Sequence, residues 1–266
     1  MKHEPSMSRI EYVVPELFAD IENLVALQTT RRGGISPVPF DGLNLGRNTA
    51  DSPANIKENT LKLCGLLGIK PEQLASSDQV HGTEILHAIS PGFFSGYDAL
   101  VTNEKDIFLC IFTADCYPVL LCDTQTMAVA AIHSGWKGAA GGIVTKTVLF
   151  MQKQFGTAPE NLLAWIGTGI AQSAYEVDAA VADAFNSEHL APSLRQTGKF
   201  NLDLAGANRR QLLDAGIPQS RIECSAFCSS ADAGLFYSYR RDAGITGRMA
   251  SIIGVTTGRN RQNQGR

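Results

Sequence analysis

Three short segments of the chain each carry a side chain that could bind a metal ion. Each of these side chains lies at the end of an apolar run or beside a glycine. His81 lies next to glycine, Cys116 follows one apolar run, and His133 ends another. Two imidazoles and a thiolate suit Zn²⁺, and three protein ligands leave one tetrahedral position for water or substrate. Since side chains at the ends of neighbouring strands can converge on one cleft, the segments predict an open zinc site.

The spacing of these residues leaves other interpretations open. The gaps are 35 and 17 residues, and the paired-cysteine spacings of structural zinc sites do not occur in the sequence. The two histidines could be loop residues satisfied by backbone groups, or Cys116 could be a thiol nucleophile with a histidine as its base. Spacing alone therefore does not choose between a metal site, structural histidines and a thiol enzyme.

The composition is that of a globular protein. The 266 residues are 44% hydrophobic and 18% charged, with a net charge of -3. Without a basic excess, a nucleic-acid polymer is not expected as a partner. The chain starts with an acid and a proline where a signal peptide needs an apolar run, and no apolar stretch reaches membrane-spanning length. We therefore expect a cytoplasmic protein that does not bind membranes.

The six cysteines do not indicate disulfides, because a large chain without export has little need of covalent crosslinks. Cys64, Cys110 and Cys122 lie within apolar runs and are predicted to be small core residues. Cys116 differs, because it lies where a predicted strand meets a loop.

Capping residues and glycines mark four predicted helices. One begins after Ser52 and ends at Gly68, and another begins after Asp203 and ends at Gly216. The other two cover Gly142–Phe155 and Val177–Phe185. Short apolar runs bounded by turn residues predict seven strands, namely Val25–Thr29, Ile85–Ile89, Ile107–Phe112, Pro118–Cys122, Met127–Ile132, Leu162–Ile166 and Ala250–Val255.

The order of these elements favours a mixed fold. Strands and helices are interspersed without regular alternation, which indicates an α/β (mixed α+β) fold rather than a doubly wound one. The turn at 123–126 predicts an antiparallel hairpin over residues 118–132. We expect a single domain over residues 1–257, with a mixed sheet and flanking helices, followed by a disordered tail over residues 258–266.

Ordered motifs extend over most of the chain. They are Thr30–Ser36, Leu43–Gly46, Asn55–Asn59, Gln79–Gly82, Thr113–Cys116, His133–Gly138, Tyr175–Val177, Leu202–Leu204, Phe236–Arg241 and Gly247–Ala250. In these motifs the chain resembles the YfiH-like family, also called the DUF152, laccase-domain or multicopper polyphenol oxidoreductase family. That family includes the bacterial peptidoglycan editing factor.

The resemblance implies a zinc-dependent purine nucleoside phosphorylase that also deaminates adenosine. The implied metal ligands are His81, Cys116 and His133. The implied substrates are adenosine, inosine, guanosine and methylthioadenosine, with phosphate, and the implied fold is one mixed α/β domain. Lys137 stands where the family more often has arginine, and residues 47–51 lack the histidine and glycine often found in that loop. These departures leave substrate preference open.

Deamination would require a carboxylate near the metal. A zinc-bound hydroxide would attack purine C6 while the carboxylate moves protons. Asp115 and Glu176 are the candidate carboxylates, and Cys116 is a catalytic candidate as metal ligand or nucleophile. Alternatively, Asp115 orients an imidazole ligand, and Glu176 only caps the helix that follows it.

Phosphorolysis would require cations that hold phosphate against the ribose carbon. The candidate cations are Arg47, Lys137, Arg240 and Arg241. Each of them could equally be a solvated surface residue. Asn44 and Gln79, which also lie within the motifs, are further candidates for substrate contacts.

Three other functions remain open from the sequence. Copper suits the same donor set, but one His/Cys/His set in a chain with five histidines cannot supply the several copper sites of a multicopper polyphenol oxidase. The editing factor implies a hydrolase that removes misincorporated L-serine from a peptidoglycan precursor. A non-catalytic zinc protein would instead have a fourth protein ligand and no substrate-sized cleft.

Overall fold

A computed structural model describes residues 9–258 of the chain. The helices are α1 Pro53–Leu67, α2 Trp136–Ala140, α3 Ile143–Phe155, α4 Ala179–Ala182 and α5 Leu204–Asp214. The strands are β1 Tyr12–Val13, β2 Leu24–Thr29, β3 Leu74–Ser77, β4 Ile85–His87, β5 Gly92–Phe94, β6 Ala99–Thr102, β7 Phe108–Thr113, β8 Tyr117–Asp123, β9 Val129–Ser134, β10 Leu162–Ile166, β11 Glu176–Asp178, β12 Leu190–Pro192, β13 Lys199–Leu202, β14 Ile222–Cys224 and β15 Met249–Val255. The predicted tail lies outside the described residues apart from Gly258, and the single domain over residues 1–257 stays a prediction.

Most strands belong to two six-stranded sheets. The first has the order β1-β2-β15-β7-β3-β5, and the second has the order β14-β10-β8-β9-β6-β4. Each sheet contains both parallel and antiparallel pairs. A small sheet, β11-β13-β12, adds three antiparallel strands. The mixed α/β class is confirmed, with three sheets where one mixed sheet was expected.

The two large sheets pack face to face between helices. Successive residues of a strand point to opposite faces, so Val119 and Leu121 of β8 pack with α3 and α5, whereas Leu120 and Cys122 fill the core between the sheets. The other face of the first sheet packs on α1. The layers are therefore α1, first sheet, second sheet, then α3 and α5. This packing fixes the strand ends that carry the site.

The predicted capping residues and strands are largely confirmed. The Ser52 hydroxyl accepts a hydrogen bond from the Ala54 N–H at the start of α1, and Gly68 ends that helix in the left-handed region. The Asp203 carboxylate caps α5. All seven predicted strands occur within two residues of their predicted ends, and β8 and β9 form the predicted antiparallel hairpin.

The helix predicted over Val177–Phe185 is wrong. Residues Glu176–Asp178 form β11 and pair with Lys199–Asn201 of β13, and only Ala179–Ala182 are helical. Strand pairing in the small sheet thus overrides the local helix propensity of an alanine-rich segment.

The buried cysteines were predicted correctly. Cys64, Cys110 and Cys122 are buried and free. No helix between residues 9 and 258 has the length and apolar character needed to cross a membrane. The cytoplasmic location stays a prediction.

Candidate metal centre and its cleft

The three predicted metal ligands lie at the ends of neighbouring strands. His81 lies in the turn between β3 and β4, Cys116 between β7 and β8, and His133 near the end of β9. The register of β8 and β9 pairs Pro118 with His133, which brings Cys116 alongside the end of β9. The imidazoles and the thiol offer donor atoms that all lie within 4.8 Å of one another. The predicted convergence is confirmed.

One buried carboxylate orients both histidines. Asp98, directly before β6, accepts hydrogen bonds through Oδ1 from the Nδ1–H of His133 (2.8 Å) and the backbone N–H of His81 (2.9 Å). Its Oδ2 accepts from the Gly82 N–H (2.6 Å). Burial raises the pKa of Asp98, but its hydrogen bonds and the charge of His133 lower it overall. Because Nδ1 of His133 is bound by Asp98, Nε2 is the nitrogen available to an ion.

A glycine leaves room for the ligands. A Cβ atom added to Gly135 would lie 3.0 Å from Sγ of Cys116 and 3.0 Å from Cδ2 of His81. Any larger residue would crowd the space between the thiol and the imidazole. The close packing of the Cys116 and His81 side chains therefore requires a glycine at position 135.

The surroundings of the Cys116 thiol favour its ionised form. Burial raises its pKa, but the charge and hydrogen bonds of His133 and His81 lower it to about 6. For His133 the effects have the opposite sign. Burial lowers its pKa, but Cys116 and Asp98 raise it above its usual value. The Cys116 thiol therefore ionises readily, and the thiolate is the form that binds metal ions.

Gln79 lines the cleft but uses its side chain to hold the backbone. Its Nε2 donates to the Phe112 carbonyl (2.8 Å), and its Oε1 accepts from the Phe112 N–H (2.7 Å). The carboxamide therefore acts like a strand partner of β7. Gln79 and His81 have left-handed backbones (φ 54° and 62°), so this contact fixes a tightly turned segment beside the metal ligand.

Asp115 holds the opposite side of the cleft together. Its Oδ1 accepts from the Ser229 hydroxyl (2.7 Å), and its Oδ2 accepts from the Arg240 backbone N–H (2.6 Å). The role of orienting a ligand imidazole, one of the two foreseen for Asp115, is filled by Asp98. Asp115 instead ties the Cys116 connection to the segment that carries Arg240.

Glu176 lies in the small sheet, and its carboxylate is bound there. Ser193 donates its hydroxyl to Oε2 (2.5 Å), and the Lys199 ammonium lies 3.8 Å from Oε1. Its backbone carbonyl accepts from Nη1 of Arg240 (2.6 Å). Glu176 is not among the described residues that line the cleft. The structure thus brings the backbone of Glu176, rather than its carboxylate, into contact with Arg240.

A cavity of about 450 Å³ is lined by all three metal ligands. Three guanidinium groups lie over aromatic rings in its walls. The distances from Cζ to the ring centroid are 5.0 Å for Arg47 and Phe93, 5.1 Å for Arg240 and Tyr175, and 5.6 Å for Arg248 and Tyr239. The cavity therefore combines metal ligands, positive charge and flat apolar surface, and its size is typical of small-molecule sites.

The four predicted phosphate-binding cations separate into two groups. Arg47 and Arg240 line the cavity, whereas Lys137 and Arg241 do not. Lys137 is exposed on α2. The guanidinium of Arg241 pairs with Asp242 and donates to backbone carbonyls of the 229–236 segment. Arg241 therefore braces the loop that presents Arg240.

Asn44 is fully buried beneath the loop that carries Arg47. Its amide donates to Thr49 and to the Asp51 carboxylate, both at 3.0 Å. Its oxygen accepts from the Gly46 and Arg248 N–H groups. With its hydrogen-bonding groups used in this way, Asn44 shapes the loop from below the cavity.

Sequence reasoning did not foresee three charged residues of the site. Asp98 follows no recognisable motif, and its role depends on the pairing of β6 with β9. Asp78 lines the cavity, and its Oδ1 accepts from the Gly96 N–H (2.7 Å). Arg248 lies in the motif 247–250, which pointed to the segment but not to its side chain.

Comparisons with known proteins identify the family of the chain. The family described as multi-copper polyphenol oxidoreductase laccase matches residues 25–256. A Deinococcus radiodurans protein named purine nucleoside phosphorylase is 45% identical over 229 residues, which cover 85% of this chain and 87% of that protein. Purine nucleoside phosphorylase YfiH of Escherichia coli is 36% identical, with 91% and 97% covered.

A solved structure shares the fold. The crystal structure of YlmD from Geobacillus stearothermophilus has a TM-score of 0.87 to this chain at 33% identity, and the match covers 95% of this chain and 100% of that one. A Neisseria meningitidis structure described as DUF152 gives a TM-score of 0.80 at 32% identity. The chain belongs to the YfiH-like, laccase-domain family, as its motifs predicted.

Proposed function

We propose that this chain is a zinc-dependent purine nucleoside phosphorylase that also deaminates adenosine, with inosine, guanosine and methylthioadenosine as further substrates. The observation that carries the proposal is the His81, Cys116 and His133 group in the wall of a cationic, aromatic cavity. The names of the relatives that are 45% and 36% identical support the phosphorylase assignment.

The donor set fits zinc. One thiolate and two imidazoles, with a vacant fourth position, are typical of catalytic zinc, which supplies a Lewis acid and an activated water. Within residues 9–258 this is the only convergent group of three such ligands. A multicopper oxidase needs several copper sites, so the family's descriptive name does not fit this geometry. The cell-wall editing function gains no support from the relatives named above.

In phosphorolysis, an oxygen of hydrogen phosphate bonds to ribose C1′ while the bond from C1′ to the purine nitrogen breaks. The base leaves with the electron pair and gains the proton that the phosphate carried. We assign phosphate binding to Arg47 and Arg240, whose charges line the cavity. The rings of Phe93, Tyr175 and Tyr239 offer surfaces for the purine. Asn44 and Arg241 lie outside the cavity and hold the loops that carry Arg47 and Arg240, and Lys137 is exposed away from the cavity.

In deamination, water adds to purine C6 and the bond to the exocyclic nitrogen breaks, releasing ammonia. A carboxylate must carry a proton from the attacking water to the exocyclic nitrogen that leaves. Asp115 and Glu176 have both carboxylate oxygens bound by protein groups. Asp78 lines the cavity, and no residue between 9 and 258 donates to its Oδ2. We therefore assign proton transfer to Asp78 and a positioning role to Asp115.

The test uses purified protein loaded with zinc. Inosine should yield hypoxanthine and ribose 1-phosphate only when phosphate is present, and adenosine should yield inosine without phosphate. Cys116→Ala should lose zinc and both activities, while Cys224→Ala, which removes an exposed thiol, should keep them. Turnover by fully zinc-free protein, or no base release by the zinc-loaded protein, would refute the proposal.

A further inference from the structure

Arg248 enters the cleft just before β15, and part of its guanidinium is without a partner. Nη1 donates to the backbone carbonyls of Thr246 and Gly247, both at 2.9 Å. The Tyr239 ring lies beside it. Nε and Nη2 make no hydrogen bond to any of the described residues. One edge of the guanidinium is therefore anchored, and the other can bind a ligand.

Arg248 differs from the other cleft cations in its surroundings. Arg47 and Arg240 are exposed, so water can solvate them, whereas Arg248 is only partly exposed and burial lowers its pKa. Arg241 pairs with Asp242, but no carboxylate of residues 9–258 forms an ion pair with Arg248. The charges of Cys116 and Asp115 partly offset the effect of burial, but neither side chain binds the guanidinium directly. The free edge of Arg248 therefore remains available to an anionic ligand in the cavity.

A glycine on the facing loop fixes the stem of this arginine. A Cβ atom added to Gly46 would lie 2.4 Å from Cγ and 2.8 Å from Cβ of Arg248. The loop and the arginine stem are therefore in direct contact. The Asn44 side chain accepts from both the Gly46 and Arg248 N–H groups, so one buried amide sets both positions.

We propose that Arg248 binds the phosphate co-substrate, with Nε and Nη2 donating to two phosphate oxygens. The assignment rests on the proposed phosphorylase function. A planar guanidinium presents two parallel donors to such an anion. Because Cys116 and Arg248 line the same cavity, the bound phosphate lies in the space that also contains the metal ligands. Arg248 thus supplies a fixed contact, and the exposed Arg47 and Arg240 supply adjustable ones.

The experiment compares Arg248→Ala and Arg248→Lys with Arg210→Ala, which removes a guanidinium from the exposed surface of α5. Binding of inorganic phosphate to the zinc-loaded proteins is measured by calorimetry, and KM is measured for phosphate and inosine. Loss of charged hydrogen bonds should raise the phosphate Kd and KM about 10- to 100-fold in Arg248→Ala. The phosphate Kd and KM of Arg248→Lys should lie between those of the parent protein and Arg248→Ala. Those of Arg210→Ala should stay within about twofold of the parent protein.

The ratio of phosphorolysis to deamination separates a loss of phosphate binding from general damage to the protein. Deamination does not consume phosphate, so Arg248→Ala should lower phosphorolysis at least about tenfold more than deamination. Equal losses in both reactions with unchanged phosphate binding would overturn the proposal. If the parent protein binds phosphate through Arg248 but releases no base, the assigned contact stands and the phosphorylase function fails.

Gly46→Ala tests the positioning step while the arginine is retained. The added methyl group must displace the Arg248 stem or the loop, so the phosphate KM should rise in the same direction as in Arg248→Ala. An unchanged phosphate KM in both variants would show that the arginine is a packing residue of the Tyr239 ring, against the proposal.

Discussion

The two sides of the cleft are each organised by one buried carboxylate, and the two carboxylates bind different kinds of group. Asp98 is completely buried and contacts a ligand imidazole and the backbone of the other histidine. Asp115, 8% exposed, contacts a serine hydroxyl and the backbone N–H of Arg240. One carboxylate therefore fixes metal ligands, and the other fixes a segment that presents a cation to the substrate space.

The difference predicts that metal binding and substrate binding can be damaged separately. The metal side depends on pairing within the second sheet, where β6 and β9 place Asp98 beside His133. The arginine side depends on loop residues 229–248, where the Ser229 hydroxyl and the Arg240 backbone N–H bind Asp115. A variant of one carboxylate should leave the function of the other side measurable.

The largest expected effect is that of Asp98→Asn on zinc affinity. An amide cannot accept from the Nδ1–H of His133 and both backbone N–H groups at once, so the imidazole loses its orientation. Loss of such a contact typically lowers metal affinity about 10- to 100-fold. Zinc dissociation constants measured by competition with a chromophoric chelator check this. Asp115→Asn is the matched control, and equal weakening in both variants would contradict the division.

Asp115→Asn should have a smaller effect, on catalysis rather than on zinc. The amide keeps one acceptor, so one of the two contacts, with Ser229 or Arg240, is weakened. We expect kcat/KM to fall about tenfold in both reactions, in line with the loss of one charged hydrogen bond, while zinc content stays at that of the parent. A fall of about 100-fold or more in deamination alone would assign proton transfer to Asp115 instead of Asp78.

Much of this division was not accessible from the sequence, for a physical reason. Local signals were sufficient to predict the two ends of α1, at Ser52 and Gly68, and the seven strands. Helix capping and short apolar runs depend only on residues close together in the chain. The metal ligands were found because their motifs are distinctive. Asp98 lies 35 residues from His133 in the chain, and only sheet pairing joins them. The helix predicted at Val177–Phe185 failed for the same reason, since the pairing partner of β11 is distant.

A third buried carboxylate extends the comparison to the loop that carries Arg47. Asp51 accepts hydrogen bonds from Ser36 (2.6 Å), Asn44 (3.0 Å), Asn55 (2.8 Å) and the Ser52 N–H (2.8 Å). Burial raises the pKa of Asp51, but these hydrogen bonds lower it overall. Because the folded state lowers this pKa, ionised Asp51 stabilises the fold above its unfolded pKa of about 3.9. That contribution is lost as pH falls through the folded value.

Asp51→Asn should therefore have the smallest effect, and the effect should depend on pH. At pH 7 the free energy of unfolding should fall by about 1 kcal/mol, the scale of a hydrogen bond. Below about pH 4 the difference from the parent should begin to shrink, because the Asp51 carboxylate of the unfolded parent gains protons there, and it should disappear as pH falls through the lower folded pKa. Urea unfolding at pH 7 and below about pH 4 measures this difference in the free energy of unfolding. Asp20→Asn, at an exposed carboxylate, is the control. A difference that stays constant or grows on acidification would show that Asp51 acts through packing, and that the Arg47 loop is not held by charge.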